Sequence, residues 1–498
     1  METHTADVIV VGCGIAGLSA AVSAAEAGAT VHVLERAPRN DRGGNTRYTE
    51  SFWRMKDHDT IADDFAERLA ENAAGYLDPE VTKDYARPYA EWSPLLRAQP
   101  ALDPALIEAW GDGAGPAVRW LESKGARFDY LPIYFLTVST SRLAPVGGGW
   151  ALVEALATWC ETEGASQVTI HYETTAKGLI QDEAGRVVGV RAQGPGGRTE
   201  YRGRSVVLAS GGFEGNAEML ARYCGPTAQW IRPIAKGGYF NRGEGIRMAL
   251  DLGAAPGGDF GSFHAQPVDP RSGAIEAAVV TFNYGLLVNL DGDRFTDEAP
   301  ATADACYEAI TRDILTQKKG LAYVIHDGRL DDVPNWRLGV RSDQPPIEAE
   351  TLEQLAARLG LDPDRLRASI DAYNAHCPPE PTGDAFRPLE LDGLRTRPGL
   401  APAKSNWARP LDRGPWRAWP IMCANCFTFG GLKVNPDAQV LDMDGRPLPG
   451  LYAAGETMGV YHRTYTGSTS VMRGCVFGRI AGHHAATARG RNTATPEP

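Results

Sequence analysis

Three glycines and one carboxylate near the start of the chain have the spacing of a dinucleotide site. Gly12, Gly14 and Gly17 stand at GxGxxG spacing, and Glu35 follows 18 positions after Gly17. In that pattern the first glycine makes a tight turn, the second lets a pyrophosphate reach the backbone, and the third lets helix and strand pack closely. The positive end of the following helix then faces the phosphates, and a terminal carboxylate accepts hydrogen bonds from ribose hydroxyls. Glu35 favours a free 2′-hydroxyl, which disfavours a phosphorylated nicotinamide cofactor. These residues alone leave NAD and FAD both open.

The elements that must hold these groups are legible around them. Val8 to Val11 is a wholly apolar run, as for a parallel strand buried on both faces. An Ala-rich helix follows Gly14, and a second apolar run, Thr30 to Leu34, delivers Glu35. The whole chain of 498 residues has room for two or three domains, and 43% apolar residues suffice for a large core. The net charge of −12 argues against a nucleic-acid surface and leaves no basic membrane patch. No run approaches the roughly 18 apolar residues of a membrane span, and no secretory leader precedes the first strand, so a cytoplasmic protein is the expectation. The eight cysteines are scattered. Cys423 and Cys426 form a CxxC with no second ligand pair, so no metal site is expected.

Further along, Gly43, Gly44, Asn45 and Thr46 form a polar loop whose glycines let backbone lie against a flat or anionic group. Residues 57 to about 145 read as a mostly helical insertion. A helix is expected from Ala151 to about Glu163, then strands over 168–172, 174–181 and 186–192, with Pro195-Gly196-Gly197 turning into Tyr201–Arg204. Ser205 to Leu208 is a second buried strand that ends in the pair Gly211 and Gly212. Past Ser262 come strands over 285–290 and 323–326, helices over 351–360 and 363–377, and an irregular proline-rich wrap over 378–420. Gly467 to Val471 opens a last helix that runs to about His484, and the final dozen residues read as a disordered tail.

Seven motifs spread along the chain then make a resemblance. They are GCGIAG with Glu35, GGNT at 43–46, ASGGF at 209–213, DGDRFTDE at 291–298, FGGLKV at 429–434, PGLYAAGE at 449–456 and VFGRIAG at 476–482. In this order they resemble the flavoprotein family of fumarate reductases, succinate dehydrogenases and 3-ketosteroid dehydrogenases. Within it, GGNTRYT and NCFTFGGL look most like tricarballylate dehydrogenases. The resemblance implies FAD and an α/β architecture in which a Rossmann-type FAD-binding domain is interrupted by an α+β capping domain. The expected division is 1–261 for the first part of the FAD domain, 262–424 for the cap and 425–498 for the second part. The cofactor set is Gly12, Gly14, Ile15, Ala16, Gly17, Glu35, Arg36, Gly43, Gly44, Asn45, Thr46, Ala176, Ser210, Gly211, Gly212, Gly455, Glu456, Ser470 and Val471. Glu456 would anchor the ribityl chain, and the amides of Ser470 and Val471 would face flavin N1 and O2. The loop Asn45-Thr46-Arg47-Tyr48 lacks the histidine of covalent family members, so non-covalent FAD is expected.

Members of this family add or remove two hydrogens across a C–C bond, with hydride passing at the flavin and a side chain moving the proton. The family's proton-transfer arginine is missing after Arg294-Phe295-Thr296-Asp297-Glu298. Its paired histidine has become Cys426-Phe427, and its late substrate arginine falls near Tyr465. These losses disfavour fumarate reduction. The remaining catalytic candidates are His264, which resembles the family's substrate-carboxylate histidine, and Tyr465, similar to the ketone-polarising tyrosine of ketosteroid dehydrogenases. Arg463 is a candidate carboxylate clamp, and Tyr307 or Tyr284 on the cap would replace the missing arginine. The expected enzyme is an FAD-dependent dehydrogenase (desaturase) acting beside a carboxylate or carbonyl in a small organic acid, with tricarballylate as the leading substrate. The alternatives are a ketone-activated desaturase of the 3-ketosteroid or 4-oxocyclohexanecarboxylate type and, in a different class, a flavin-binding protein without dehydrogenase activity. With no haem or iron–sulfur ligands, electrons would leave to a partner protein, a quinone or oxygen.

Overall fold

All four residues of Val8–Val11 are buried, so the strand needs a neighbour on either side. In the computed structural model, which describes residues 2–73, 87–88, 91–98, 103–131, 142–379 and 390–488, it lies inside a six-stranded sheet. Val31–Leu34 and Ser205–Leu208 flank it in parallel. Val168–His171 and Pro447–Ala453 extend the parallel sheet on either side, and Gln439–Leu441 adds an antiparallel edge.

Helix Ile15–Glu26 packs along helix Ser470–Thr487 through small residues. A Cβ at Gly478 would lie 2.4 Å from the carbonyl oxygen of Ala16, an approach only glycine permits. At Gly474 it would lie 2.7 Å from Ile15 Cγ2, so the first turns of the two helices are neighbours. A smaller four-stranded sheet joins Thr175–Gln181, Val187–Gly194 and Gly197–Arg202, the hairpin expected from its glycines. Glu2–Thr5 adds to it in parallel, a strand that sequence reading did not anticipate. The insertion contributes helices Phe65–Ala73 and Pro104–Ser123 and the strand pair Phe128–Leu131 and Arg142–Pro145. A short helix Pro94–Ala98 also belongs to it, while 74–86, 89–90, 99–102 and 132–141, and the tail from residue 489, lie outside the described residues.

Between strands Ser205–Leu208 and Pro447–Ala453, neighbours in the first sheet, the chain builds a second sheet with two apolar cores of its own. The α/β architecture interrupted by an α+β unit is therefore present. The central strand of this second sheet is Trp416–Thr428, which pairs with Leu321–His326, Phe263–Val268, Ile347–Ala349 and Arg232–Pro233. It overturns the expected wrap up to residue 420. Pro420 reads as a breaker because it gives the ladder no N–H, yet it sits opposite Tyr323 while Ala418, Trp419, Ile421 and Cys423 are buried around it. Helix Ala303–Leu315 was also unforeseen, whereas Leu352–Leu359 and Pro363–His376 stand where expected, capped by Thr351 and Asp362. Among the described residues no helix is long and apolar enough to cross a membrane.

Candidate active site

One cavity of about 780 Å³ runs from the glycine turn to the second sheet. At the turn, Gly12 has φ of +108°, and a Cβ there would stand 2.2 Å from the carbonyl oxygen of Ala209. The carboxylate of Glu35 accepts from the amides of Cys13 at 2.9 Å and Ala37 at 2.7 Å. Burial pushes its pKa up against those bonds. Two amides occupy only part of a carboxylate's acceptor capacity, so ribose hydroxyls still find lone pairs. Thr46 ties the polar loop to the first helix by accepting from the amide of Ile15 at 3.2 Å.

The expected cofactor residues line this cavity, apart from Gly17 and Gly212. Those two act behind it. A Cβ at Gly17 would meet the carbonyl oxygen of Gly12 at 1.9 Å, and one at Gly212 would meet Glu456 Oε1 at 2.1 Å. Glu456 Oε1 accepts from the amide and hydroxyl of Thr428, at 2.7 and 3.0 Å. Burial and the neighbouring charge of Glu456 push Glu214 far up, so this carboxyl pair keeps a proton. Asn45 donates to Glu214 and to the carbonyl of Cys426. Its own Oδ1, and Ser210 Oγ, are buried with no partner among the described residues, and both residues line the cavity. A glycine cradle, two adjacent helix starts and polar atoms awaiting partners fit FAD.

At the far end, helix Ala303–Leu315 presents Asp304, Tyr307 and Glu308, at i, i+3 and i+4, to the cavity. His264 reaches the same place from strand Phe263–Val268, whose register puts it opposite Phe427. Its Nδ1 lies 3.4 Å from Glu308 Oε2 and its Nε2 lies 3.3 Å from the Tyr307 hydroxyl. Burial pushes the Glu308 carboxyl up. The hydrogen bond from His264 and the charge of Arg312 outweigh burial and hold it below the ordinary range. An ionised carboxylate only accepts, so the Glu308 contact places the imidazole proton on Nδ1 and leaves Nε2 to accept from Tyr307. The ring of Tyr465 lies 4.5 Å from His264 and 5.0 Å from Phe427. Its phenol oxygen accepts from the amides of Thr469 at 2.9 Å and Ser470 at 3.0 Å, and donates to Ser470 Oγ at 3.1 Å. The Ser470 amide, assigned from sequence to the flavin, is thus engaged by Tyr465, while Val471 still lines the cavity.

Two candidates are corrected. Tyr284 does not line the cavity; its ring packs 5.4 Å from Trp407 in the second unit, and burial raises its pKa. A phenol so placed is a poor base. Arg463 is exposed and also outside the lining, held through its backbone: its amide donates to Asp259 at 3.2 Å and its carbonyl accepts from Arg312 at 2.7 Å. Sequence reasoning missed Asp304, Glu308, Glu276, Glu50 and Arg142, all of which line the far end. Arg142 donates to Asp304 at 2.7 Å. Glu276 and Glu50 both pair with Arg341, at 3.0 and 3.3 Å, and burial pushes Glu50 up to about 7. The helical spacing of Asp304, Tyr307 and Glu308, with Thr302 before them, was the available signal.

The FAD binding domain family matches residues 7–471. Urocanate reductase of Eggerthella lenta is 29% identical over 507 aligned positions, covering 97% of this chain and 75% of that one. The 4-oxocyclohexanecarboxylate 2-dehydrogenase of Sinomonas cyclohexanicum is 28% identical over 363 positions, covering 66% of this chain and 58% of that one. The open conformation of a flavocytochrome c3 fumarate reductase superposes with a TM-score of 0.71 at 26% identity, covering 97% of this chain and 78% of the other. With a match this long on a cavity built to hold the same cofactor, the chain belongs to the FAD-binding domain family and is an FAD-dependent oxidoreductase acting on CH–CH groups.

Proposed function

We propose that the protein is a dehydrogenase (desaturase) that removes two hydrogens from a C–C bond next to a ketone in a small cyclic keto acid. The observation that carries this reading is the charge of the far wall. Asp304, Glu308, Glu276 and Glu50 line it together with Arg142, and these carboxylates are paired with Arg142, Arg312 and Arg341. With its cations already engaged by its own carboxylates, such a wall offers a trianion such as tricarballylate few partners, while a neutral ketone oxygen suits a phenol donor.

Tyr465 supplies that donor. With two amides on its oxygen, its O–H is the group's outgoing bond, available to a ketone where it now meets Ser470 Oγ. Polarising the carbonyl makes the adjacent C–H proton easier to remove. Tyr307 takes that proton as its own O–H proton passes to His264 Nε2, and Glu308 stabilises the imidazolium that forms. The residues of the glycine cradle and Glu456 would hold FAD, which would supply the acceptor for the hydride on the neighbouring carbon. No histidine stands in the 45–48 loop, and the cofactor is held without a covalent bond.

The test is anaerobic mixing of the yellow protein with 4-oxocyclohexanecarboxylate and, separately, with tricarballylate, following the oxidised-flavin band. Bleaching by the keto acid, lost roughly 100-fold in Tyr465→Phe as for removal of one oxyanion donor, is the expected result. Bleaching by tricarballylate alone would refute the ketone reading, and bleaching by neither would return the protein to flavin binding without this chemistry. Acid precipitation of the same sample should release the flavin, and colour kept in the pellet would refute non-covalent binding.

A further inference from the structure

We propose that Arg142 selects for a carboxylate on the substrate, gripping it with the edge of its guanidinium that Asp304 leaves open. This rests on the ketone-adjacent reading and adds its second anchor: the substrate is a monocarboxylate whose ketone and acid groups are held by different elements.

Arg142 begins the strand Arg142–Pro145 of the insertion and lines the cavity. Its Nη2 donates to Asp304 Oδ2 at 2.7 Å, and that is its hydrogen-bond partner among the described residues. The side chain keeps 21% of its exposure. A Cβ at Gly467 would lie 3.9 Å from Nη1, which puts that nitrogen beside the loop carrying Tyr465 and Thr466. Other arginines of the cavity are committed differently. Arg54 forks onto Asp64 and also donates to the carbonyl of Gly467. Arg36 divides between the carbonyl of Phe240 and Glu244.

A guanidinium has five N–H donors in a planar fork that matches a carboxylate. Asp304 takes one donor and offsets the charge, and the remaining N–H donors can hold one further carboxylate. Arg312 is paired with Glu308, and Arg341 with Glu276 and Glu50, so these cations are engaged where a second carboxylate would need them. Asp304 lies on the helix that presents Tyr307 and Glu308, so an acid bound at Arg142 is registered against the proton-transfer residues.

The test is calorimetric titration of the FAD-loaded protein with cyclohexanecarboxylate, which lacks the ketone, and with cyclohexanone, which lacks the acid. Arg142→Gln should weaken cyclohexanecarboxylate roughly 30-fold or more, as for loss of a charge-assisted bidentate contact, and leave cyclohexanone within threefold. Arg142→Lys should recover part of the loss. Unchanged carboxylate affinity in Arg142→Gln, no carboxylate binding by the parent protein, or equal weakening of both ligands would each overturn the assignment. Should Arg142→Gln lose FAD, Asp304→Asn decides. Freeing the guanidinium should tighten cyclohexanecarboxylate, and unchanged or weaker binding refutes the idea. Failure of the ketone reading looks different: carboxylate binding persists while neither keto acid nor cyclohexanone bleaches the flavin.

Discussion

Replacing Glu308 by Gln tests the proton relay without removing a group that touches substrate. The carboxylate lies 3.4 Å from His264 Nδ1. At that distance and an effective dielectric of about 20, a carboxylate and an imidazolium attract by ~5 kcal/mol. Arg312, 2.7 Å from the other oxygen, opposes part of that field. A net loss of about 2–3 kcal/mol is therefore expected, in the range of a hydrogen bond to a charged group. If imidazolium forms in the step, flavin reduction should slow roughly 30- to 150-fold, with little change in substrate affinity. The variant should fold. Gln can still accept from the amide of Tyr465, now 3.3 Å from Glu308 Oε2, and Arg312 keeps the carbonyls of Phe263 and Arg463. The assay is anaerobic stopped-flow reduction of bound flavin at saturating 4-oxocyclohexanecarboxylate. A rate within threefold of the parent protein would show that His264 does not charge, and the relay would be refuted.

Two further predictions follow from the same geometry. Burial pushes the Glu50 carboxyl up to about 7, so the folded protein keeps a proton that the unfolded chain has released. Stability therefore falls as pH rises from the ordinary carboxylate range towards 7 and stays lowered above it. Glu50→Gln should recover about 2 kcal/mol at pH 8 and much less at pH 5. An equal gain in Tm at both pH values would show that Glu50 is not the group. Because Tyr284 and Arg463 lie outside the cavity lining, Tyr284→Phe and Arg463→Ala should each leave turnover of the keto acid within twofold. A tenfold loss in either would bring that residue back into the mechanism.

How far the sequence could be read depended on the range of the interactions concerned. The strand, glycine turn, helix and Glu35 follow one another within one stretch whose residue types and spacing carry a local pattern, so spacing alone located them, although the helix packs on Ser470–Thr487 far along the chain. The hairpin 187–202 and the capped helices after Thr351 and Asp362 were legible for the same reason. His264 could be suspected, but not its partners, because Tyr307 and Glu308 lie 43 and 44 residues away. Arg463 looked like a clamp because it stands two residues before Tyr465. At φ of +55° its backbone instead serves Asp259 and Arg312. Arg142 was invisible because its role depends on a cap residue, Asp304, 162 positions later.

Strand Trp416–Thr428, hidden by its proline, explains how the two ends of the cavity stay in register. Near its end Phe427 stands opposite His264 in the ladder, its ring 5.3 Å from the imidazole. One residue on, Thr428 gives both its amide and its hydroxyl to Glu456, the expected ribityl anchor. The carbonyl of Cys426, one residue back, accepts from Asn45 of the polar loop. Three consecutive residues of one strand thus touch the proton relay, the ribityl carboxylate and the loop of the glycine cradle. A shift of one residue would turn every side chain to the opposite face and separate His264 from the cofactor residues at once. The second unit therefore does more than cover the cavity: its longest strand fixes where the proposed proton-transfer residues stand relative to those that would hold the flavin.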